Sequence, residues 1–228
     1  MNAVGHATIG SAIIDLGRCR AYAPGELLFV EGDRSHSVFA CVEGRVRIFL
    51  TTPSGRELLV GVKGAGDEFG ELSALDGRPR SASAAAIDHA TVAVLPRARY
   101  MDLLLEAPHL SVSVCRSLSA DLRRANDRLV TWTSNSATVR TGQMLVELAS
   151  LVMRHGDADA DTYELPLTQS DLAGWIGATR ESTARALARF REAGLVRTGR
   201  GRIVVLDVLG LNRFVAAWAV GGSITPGV

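Results

Sequence analysis

The spacing of apolar positions changes character twice along the chain. Between Arg18 and Pro96 short β-type runs recur: Leu27–Val30, Ser37–Glu43, Val46–Leu50, Leu58–Val62 and Ala90–Leu95. Glycine turns such as Glu43-Gly44 and Lys63–Gly66 separate them. Many short strands at this interval predict an antiparallel sandwich or barrel rather than strand–helix–strand units. Ahead of them, Ile9–Leu16 reads as a brief helix packed on that sheet.

After Pro96 the period turns helical. Arg97–Leu105 reads as a short helix stopped near Pro108, and Leu110 to about Thr133 as a long one without proline or glycine. In the long helix Leu118, Leu122, Ala125, Leu129 and Trp132 are spaced 4, 3, 4, 3, the seam of a coiled coil, which predicts a contact between two copies. The competing reading lays this stripe on the helix's own domain. Thr138–Arg154 continues as helix and Tyr163–Leu167 as a short strand. Gln169–Ile176 and Arg180–Ala193 are two further helices. Leu195–Arg197 and Ile203–Leu206 form a hairpin around Thr198–Arg202, and Val208–Val220 is a last apolar segment.

Charge adds a local signal. The formal net charge is only +1, yet the stretch from Thr179 to Arg202 holds seven arginines against two glutamates. Such a basic face is the usual footprint of phosphate contact, although a solvated helix surface looks the same by charge alone. The three cysteines, Cys19, Cys41 and Cys115, are far apart and odd in number, so a reducing cytoplasm is expected and a disulfide framework is not. No apolar stretch approaches bilayer length, so no membrane partner is expected. The five histidines lack ligand spacing. The acidic run Asp157–Asp161 lacks the glycine and glutamate that a calcium loop needs at its sixth and twelfth places. No Ser-His-Asp or paired-carboxylate arrangement stands out, and an enzyme is not expected.

Phe69–Ala86, FGELSALDGRPRSASAAA, is the most informative stretch. Gly70 lets backbone approach a ligand closely, and Glu71–Leu75 can open a short helix whose free N–H groups face an anion. Arg80 can grip a phosphate in forked geometry, and Ser81 adds a hydroxyl and an amide. Glu71 beside a phosphate makes sense if it accepts hydrogen bonds from sugar hydroxyls; Gly-Glu and Arg-Ser pairs also occur in plain turns.

Thr168–Arg189, TQSDLAGWIGATRESTARALAR, carries a second signature. Thr168 is a natural N-cap with Asp171 three residues on, Gly177 permits a sharp turn, and Thr179 caps the next helix. Leu172, Ala173 and Ile176 face inward from the first helix, and Thr183, Ala184, Leu187 and Phe190 from the second. Arg180, Glu181 and Arg185 are left projecting, where arginine can fork onto guanine and glutamate can accept from cytosine.

Together these residues resemble the catabolite-activator/FNR (CRP/FNR) family of transcription regulators, in its cyclic-nucleotide-binding subgroup. The family's phosphate-binding cassette reads Phe-Gly-Glu-Leu, a variable stretch, then Arg-Ser-Ala, matched here by Phe69-Gly70-Glu71-Leu72 and Arg80-Ser81-Ala82. The family's recognition helix begins Arg-Glu-Thr with an arginine four residues after the glutamate; this chain has Arg180-Glu181-Ser182-Thr183 and Arg185. The resemblance covers nearly the whole chain. It implies an α+β fold: an N-terminal antiparallel β-roll over residues 1–108, a dimerisation helix over 109–135, and a winged helix-turn-helix over 136–228. It also implies that Glu71 binds the ribose 2′-hydroxyl, that Arg80 and Ser81 hold the cyclic phosphate, and that Gly70, Leu72 and Ala82 give backbone contacts. Relatives that respond to cyclic AMP commonly carry Thr then Ser or Asn on the long helix. Here the pair is Ala125-Asn126, so Asn126 offers an amide to adenine without the neighbouring hydroxyl; it can equally be a plain solvent-facing residue. The implied ligand is cyclic AMP, with cyclic GMP the lesser choice. The implied DNA contacts are Thr168, Gln169, Thr179, Arg180, Glu181, Ser182, Arg185 and the wing residue Arg200. The implied partners are an inverted-repeat operator, a second copy of the chain, and RNA polymerase. Two alternatives stay open: a family regulator with no ligand or a different one, and a nucleotide sensor acting through protein partners.

Overall fold

The computed structural model describes residues 8–53, 55, 57–134, 136–155 and 162–221. The acidic run Asp157–Asp161 falls outside them. Two compact units divide the chain: Met1–Thr51 with Val60–Arg124, and Thr52–Leu59 with Ala125–Val228.

The first unit opens with α1 (Ile9–Leu16), capped by Thr8, whose hydroxyl accepts from the Ser11 amide. Eight short strands follow: β1 (Arg18–Tyr22), β2 (Leu27–Phe29), β3 (Ser37–Glu43), β4 (Val46–Thr51), β5 (Glu57–Lys63), β6 (Glu68–Phe69), β7 (Ser83–Ala86) and β8 (Ala90–Pro96). They make two four-stranded sheets, ordered β1-β8-β3-β6 and β2-β7-β4-β5. Every register resolved in them is antiparallel, with Phe39 opposite both Val94 and Phe69, and Ile48 opposite Ala84.

The inner faces enclose Phe39, Cys41, Val46, Phe69, Ala84, Ala86 and Val92. The outer face of the first sheet is covered by α1 and three more helices: α2 (Glu71–Asp76), α3 (Arg97–Glu106) and the start of α4 (Pro108–Ser134). There Ile9, Ile13, Val38, Leu95, Tyr100, Leu110 and Val114 form a second core. The expected β architecture is therefore present, and β1, β6 and β7 add to the runs that the apolar pattern predicts. β7 is Ser-Ala-Ala-Ala, buried throughout, so alternation has no exposed face on which to register. Pro108 does not merely stop α3. It opens α4, where its missing N–H costs nothing.

The second unit holds α5 (Ala137–His155), β9 (Tyr163–Leu165), α6 (Gln169–Trp175), α7 (Arg180–Glu192), β10 (Val196–Gly199), β11 (Arg202–Val205) and α8 (Val208–Gly221). The last segment, left without a type by its composition, is thus helical. The three strands form one antiparallel sheet, β10-β11-β9. Its hairpin is tighter than the sequence suggested. Gly199 pairs with Arg202, leaving Arg200-Gly201 as the turn, with Gly201 in the left-handed region at φ +70°.

Along α4, Leu118 packs partly on the core of its own unit, continuing the stripe of Leu110 and Val114. Leu122 is 63% exposed, and Ala125 is exposed as well. The side chains of Leu129 and Trp132 lie outside the described residues. The stripe therefore divides: Leu118 serves its own core, and Leu122 and Ala125 are exposed.

Candidate nucleotide and DNA sites

The cassette is built around Gly70. Its φ of +76° is a left-handed conformation, and a Cβ there would sit 2.7 Å from Arg80 Nη1. Only glycine fits between β6 and α2 without displacing the arginine. Arg80 is 5% exposed. It donates from Nη1 to the Gly70 carbonyl at 2.7 Å and from Nη2 to the Ser37 carbonyl at 2.8 Å. Its guanidinium lies 4.2 Å from the Phe29 ring centroid and 5.2 Å from that of Phe39. Phe69, the first letter of the motif, stacks on Phe39 with centroids 5.4 Å apart. The backbone of Arg80 is held equally firmly: its N–H donates to the Asp33 carbonyl, and its carbonyl accepts from the Gly32 amide. No carboxylate reaches ion-pair distance of Arg80 among the described residues. This buried cation is satisfied by carbonyls and aromatic faces. Burial lowers its pKa, while Glu71 and Asp33 pull the other way.

Glu71, the first residue of α2, is 8% exposed. Burial pushes its carboxyl up from the ordinary range, against a backbone hydrogen bond and Lys63, which pull it down; Glu68 and Asp121 add to the upward push. Gly70, Glu71 and Arg80 thus come together. Ala82 is buried one strand residue ahead of β7, whereas Ser81 is exposed and Leu72 is 44% exposed on the outer side of α2. Asn126 is exposed on α4 and groups with the second unit. Motif reading missed Phe29, Phe39 and Ser37, the residues that seat Arg80.

In the second unit the caps fall where the sequence put them. Thr168 Oγ1 accepts from the Asp171 amide at 3.1 Å, and Asp171 Oδ2 accepts from the Thr168 amide at 2.8 Å, a reciprocal capping box. Thr179 Oγ1 accepts from the Ser182 amide at 3.1 Å. Gly177, at φ +61°, makes the turn between α6 and α7. Leu172, Ala173 and Ile176, with Thr183, Leu187 and Phe190, are buried between the helices, which leaves the N-terminal half of α7 exposed. A groove of about 270 Å³ opens here, lined by Thr168, Gln169, Ser170, Arg180 and the wing residues Gly199, Gly201 and Arg202. It gathers Thr168, Gln169 and Arg180 of the expected DNA contacts. Thr179 and Ser182 spend their hydroxyls on capping. Arg185 is paired with Glu181 on the exposed surface. The wing arginine that lines the groove is Arg202, held to Glu164 at 3.3 Å, rather than Arg200 at the turn. Arg189, part of the basic run, is exposed yet folds back on its own unit: it donates to Thr138 Oγ1 at 3.1 Å and lies 4.7 Å from the Trp218 ring centroid.

The first unit thus holds a buried arginine and glutamate at one end of a short helix, and the second a capped two-helix hairpin with a wing. Residues 19–107 match the cyclic nucleotide-binding domain family, and residues 139–214 match the Crp-like helix-turn-helix domain family. The chain is 31% identical over 184 residues to the CRP-like cAMP-activated global transcriptional regulator of Mycobacterium tuberculosis, covering 80% of this chain and 81% of that one. This chain belongs to the CRP/FNR family. It is likewise 31% identical over 188 residues to the cyclic AMP receptor protein of Thermus thermophilus, covering 82% and 83%. The solved structure of FixK2 from Bradyrhizobium japonicum superposes with a TM-score of 0.74 at 22% identity, covering 87% of this chain and 96% of that one, a likeness of fold. The chain is thus a DNA-binding transcription regulator of this family and not an enzyme. Among the described residues no helix is long and apolar enough to cross a membrane, and no cluster of His, Cys, Asp and Glu could hold a metal.

Proposed function

We propose that this regulator is switched by cyclic AMP, bound in the cassette, and acts as a homodimer on an inverted-repeat operator. The observation that carries the reading is Arg80: a buried guanidinium with no carboxylate partner among the described residues, beside a left-handed glycine and a buried glutamate. That combination fits a cyclic phosphate on one side and a ribose hydroxyl on the other. Gly70, Leu72 and Ala82 would contribute backbone contacts, Ser81 a further donor, and Asn126 an amide to the adenine edge. The exposed Leu122 and Ala125, with Leu129 and Trp132 beyond them, would meet their copies across the dimer.

Ligand acts on DNA only through its different affinity for the two dimer arrangements. Arg180, Glu181 and Arg185 would read bases, Thr168, Gln169, Thr179 and Ser182 would add further DNA contacts, and Arg200 on the wing would touch phosphate. The setting is the cytoplasm, with RNA polymerase as a further partner. Titration calorimetry of the full chain with cyclic AMP and, separately, cyclic GMP tests the ligand. Selective cyclic AMP binding that is lost in Arg80→Lys supports the reading; binding of neither nucleotide sinks it. Anisotropy on an inverted-repeat duplex, with and without nucleotide, tests the switch.

A further inference from the structure

The groove beside the wing of the second unit combines Arg180 and Arg202 with Thr168, Gln169 and Ser170, and its lining includes no carboxylate. Of the wing arginines Arg197, Arg200 and Arg202, Arg202 alone lines this groove, and it alone has a carboxylate partner among the described residues. That partner is Glu164, the exposed middle residue of β9. Glu164 lies opposite Val204 in the sheet, so it projects on the same face as Arg202, two residues along β11. The bond between them is loose. A single nitrogen, Nη1, faces both carboxylate oxygens at 3.3 and 3.4 Å, and the side chains of Arg202 and Glu164 are 57% and 56% exposed. Nε and Nη2 of Arg202 make no hydrogen bond among the described residues. The stem of the arginine runs over Gly199, where an added Cβ would sit 3.1 Å from both Cγ and Nε. A side chain at that position would crowd the arginine, and the bare glycine leaves it room.

We propose that Arg202 is a phosphate contact of the DNA interface, and that Glu164 stands in for the phosphate until DNA takes its place. The inference rests on the reading of this groove as part of the DNA face and is independent of the ligand of the first unit. The unspent Nε–Nη2 edge can donate to two phosphate oxygens in forked geometry. A carboxylate left beside that phosphate is a like charge, so Glu164 gives up the arginine as DNA arrives. An exposed pair held by one nitrogen contributes little, and the exchange costs little. Because the phosphate carries no sequence information, the exchange scales affinity for every duplex alike and leaves base preference to the residues of α7.

The test measures fluorescence anisotropy of the full chain at several salt concentrations on two duplexes. One is selected by wild type from random sequence, and the other has equal length and unrelated sequence; both are read in the nucleotide condition in which wild type binds more tightly. Arg202→Gln should weaken both alike, by about fivefold per protomer near 0.15 M salt, and should lower the slope of log affinity against log salt by about one per protomer. Glu164→Gln should tighten both by about two- to fivefold per protomer, the strength of an exposed pair. In the double variant that gain should vanish, because no arginine is left to release. Both side chains are more than half exposed, so melts of the variants should stay within about 2 °C of wild type.

A loss confined to the selected duplex, or an unchanged slope, removes Arg202 from the phosphate contacts and overturns the proposal. So does a gain of equal size in the double variant, which marks Glu164 as a plain surface charge. A loss in Glu164→Gln overturns it too, since the carboxylate would then be orienting the arginine. Arg180→Ala separates this inference from the wider reading of the groove. If that variant weakens the selected duplex while Arg202→Gln weakens neither, only the phosphate exchange falls. If neither variant changes binding, the groove is not the DNA face and both readings fall.

Discussion

Replacing Arg80 by alanine tests whether the cassette is a prebuilt anion receptor that also holds the sheet together. The side chain is buried and makes two short bonds to main-chain carbonyls, at 2.7 and 2.8 Å, over two phenyl rings. Hydrogen bonds to a charged group contribute about 1.5–3 kcal/mol each, but burying a guanidinium costs several kcal/mol, so the intact residue is only modestly favourable. Alanine removes the charge and its cost together. It also leaves the Gly70 and Ser37 carbonyls without these donors and a void against Phe29 and Phe39. The balance is a loss of about 2–3 kcal/mol, from unpaired acceptors and lost packing. For a unit of this size that corresponds to a fall in Tm of about 10 °C or more. Calorimetric melting of full-length wild type and Arg80→Ala, with and without cyclic AMP, is the assay. Wild type at a ligand concentration of about 100 Kd should gain about 2.7 kcal/mol, and the variant nothing. A ligand-free melt within about 2 °C of wild type would refute the structural role. Equal protection by nucleotide would refute the receptor role.

Three further outcomes can be checked. Glu71 has a folded pKa above its unfolded value, so the folded state binds more protons in that window and its contribution to stability falls as pH rises through it. Glu71→Gln should abolish nucleotide binding yet flatten this slope, so that ligand-free melts near neutral pH are no lower than wild type; a clearly lower melt there would contradict the sign. Gly142→Ala places a Cβ 2.2 Å from Val215 Cγ2 and 3.1 Å from Phe190 Cζ, and should destabilise the second unit by about 1–3 kcal/mol in thermal melts, whereas no change would mean that α8 yields freely. Arg180→Ala should weaken operator binding about tenfold or more and relax preference at one base pair in a randomised-site selection, and an unchanged preference would remove it from the readers.

Features set by nearest neighbours in the chain are legible in the sequence. The Thr168–Asp171 box, the Thr179 cap and the Gly177 turn each depend on residues within a few positions of one another, and all three formed as expected. The cassette letters were legible through the family resemblance, since Gly-Glu and Arg-Ser pairs alone also occur in plain turns; the structure adds why Gly70 is needed, at φ +76° against Arg80. Contacts between distant segments were not legible. Ser37 seats Arg80 through a main-chain carbonyl, which no side-chain type announces. β6 has only two residues and β7 is mostly alanine, so neither carries a periodicity to read. Charge counts do not tell Arg189, which folds back onto Thr138, from Arg180, which lines the groove. The Lys63–Asp121 pair joins positions 58 apart and left no motif at all.

The two sites differ in how they wait for their ligands, and this bears on how a small molecule can control the larger contact. On the proposed reading, a phosphate reaching Arg80 need break no carboxylate pair, since the guanidinium is held by carbonyls in a fixed orientation. Held in that way, the side chain has little ordering left to lose, and binding energy would be free to favour one dimer arrangement over another. On α7 the situation is reversed. Glu181 and Arg185 are paired with each other and exposed, at 80% and 63% of their side-chain surface. Such a pair contributes little, so base edges can exchange it away at small cost, but a wrong base leaves both groups the option of re-pairing. On the proposed reading, DNA affinity would then depend mainly on whether a dimer brings both recognition helices to successive grooves, the quantity that nucleotide binding would set.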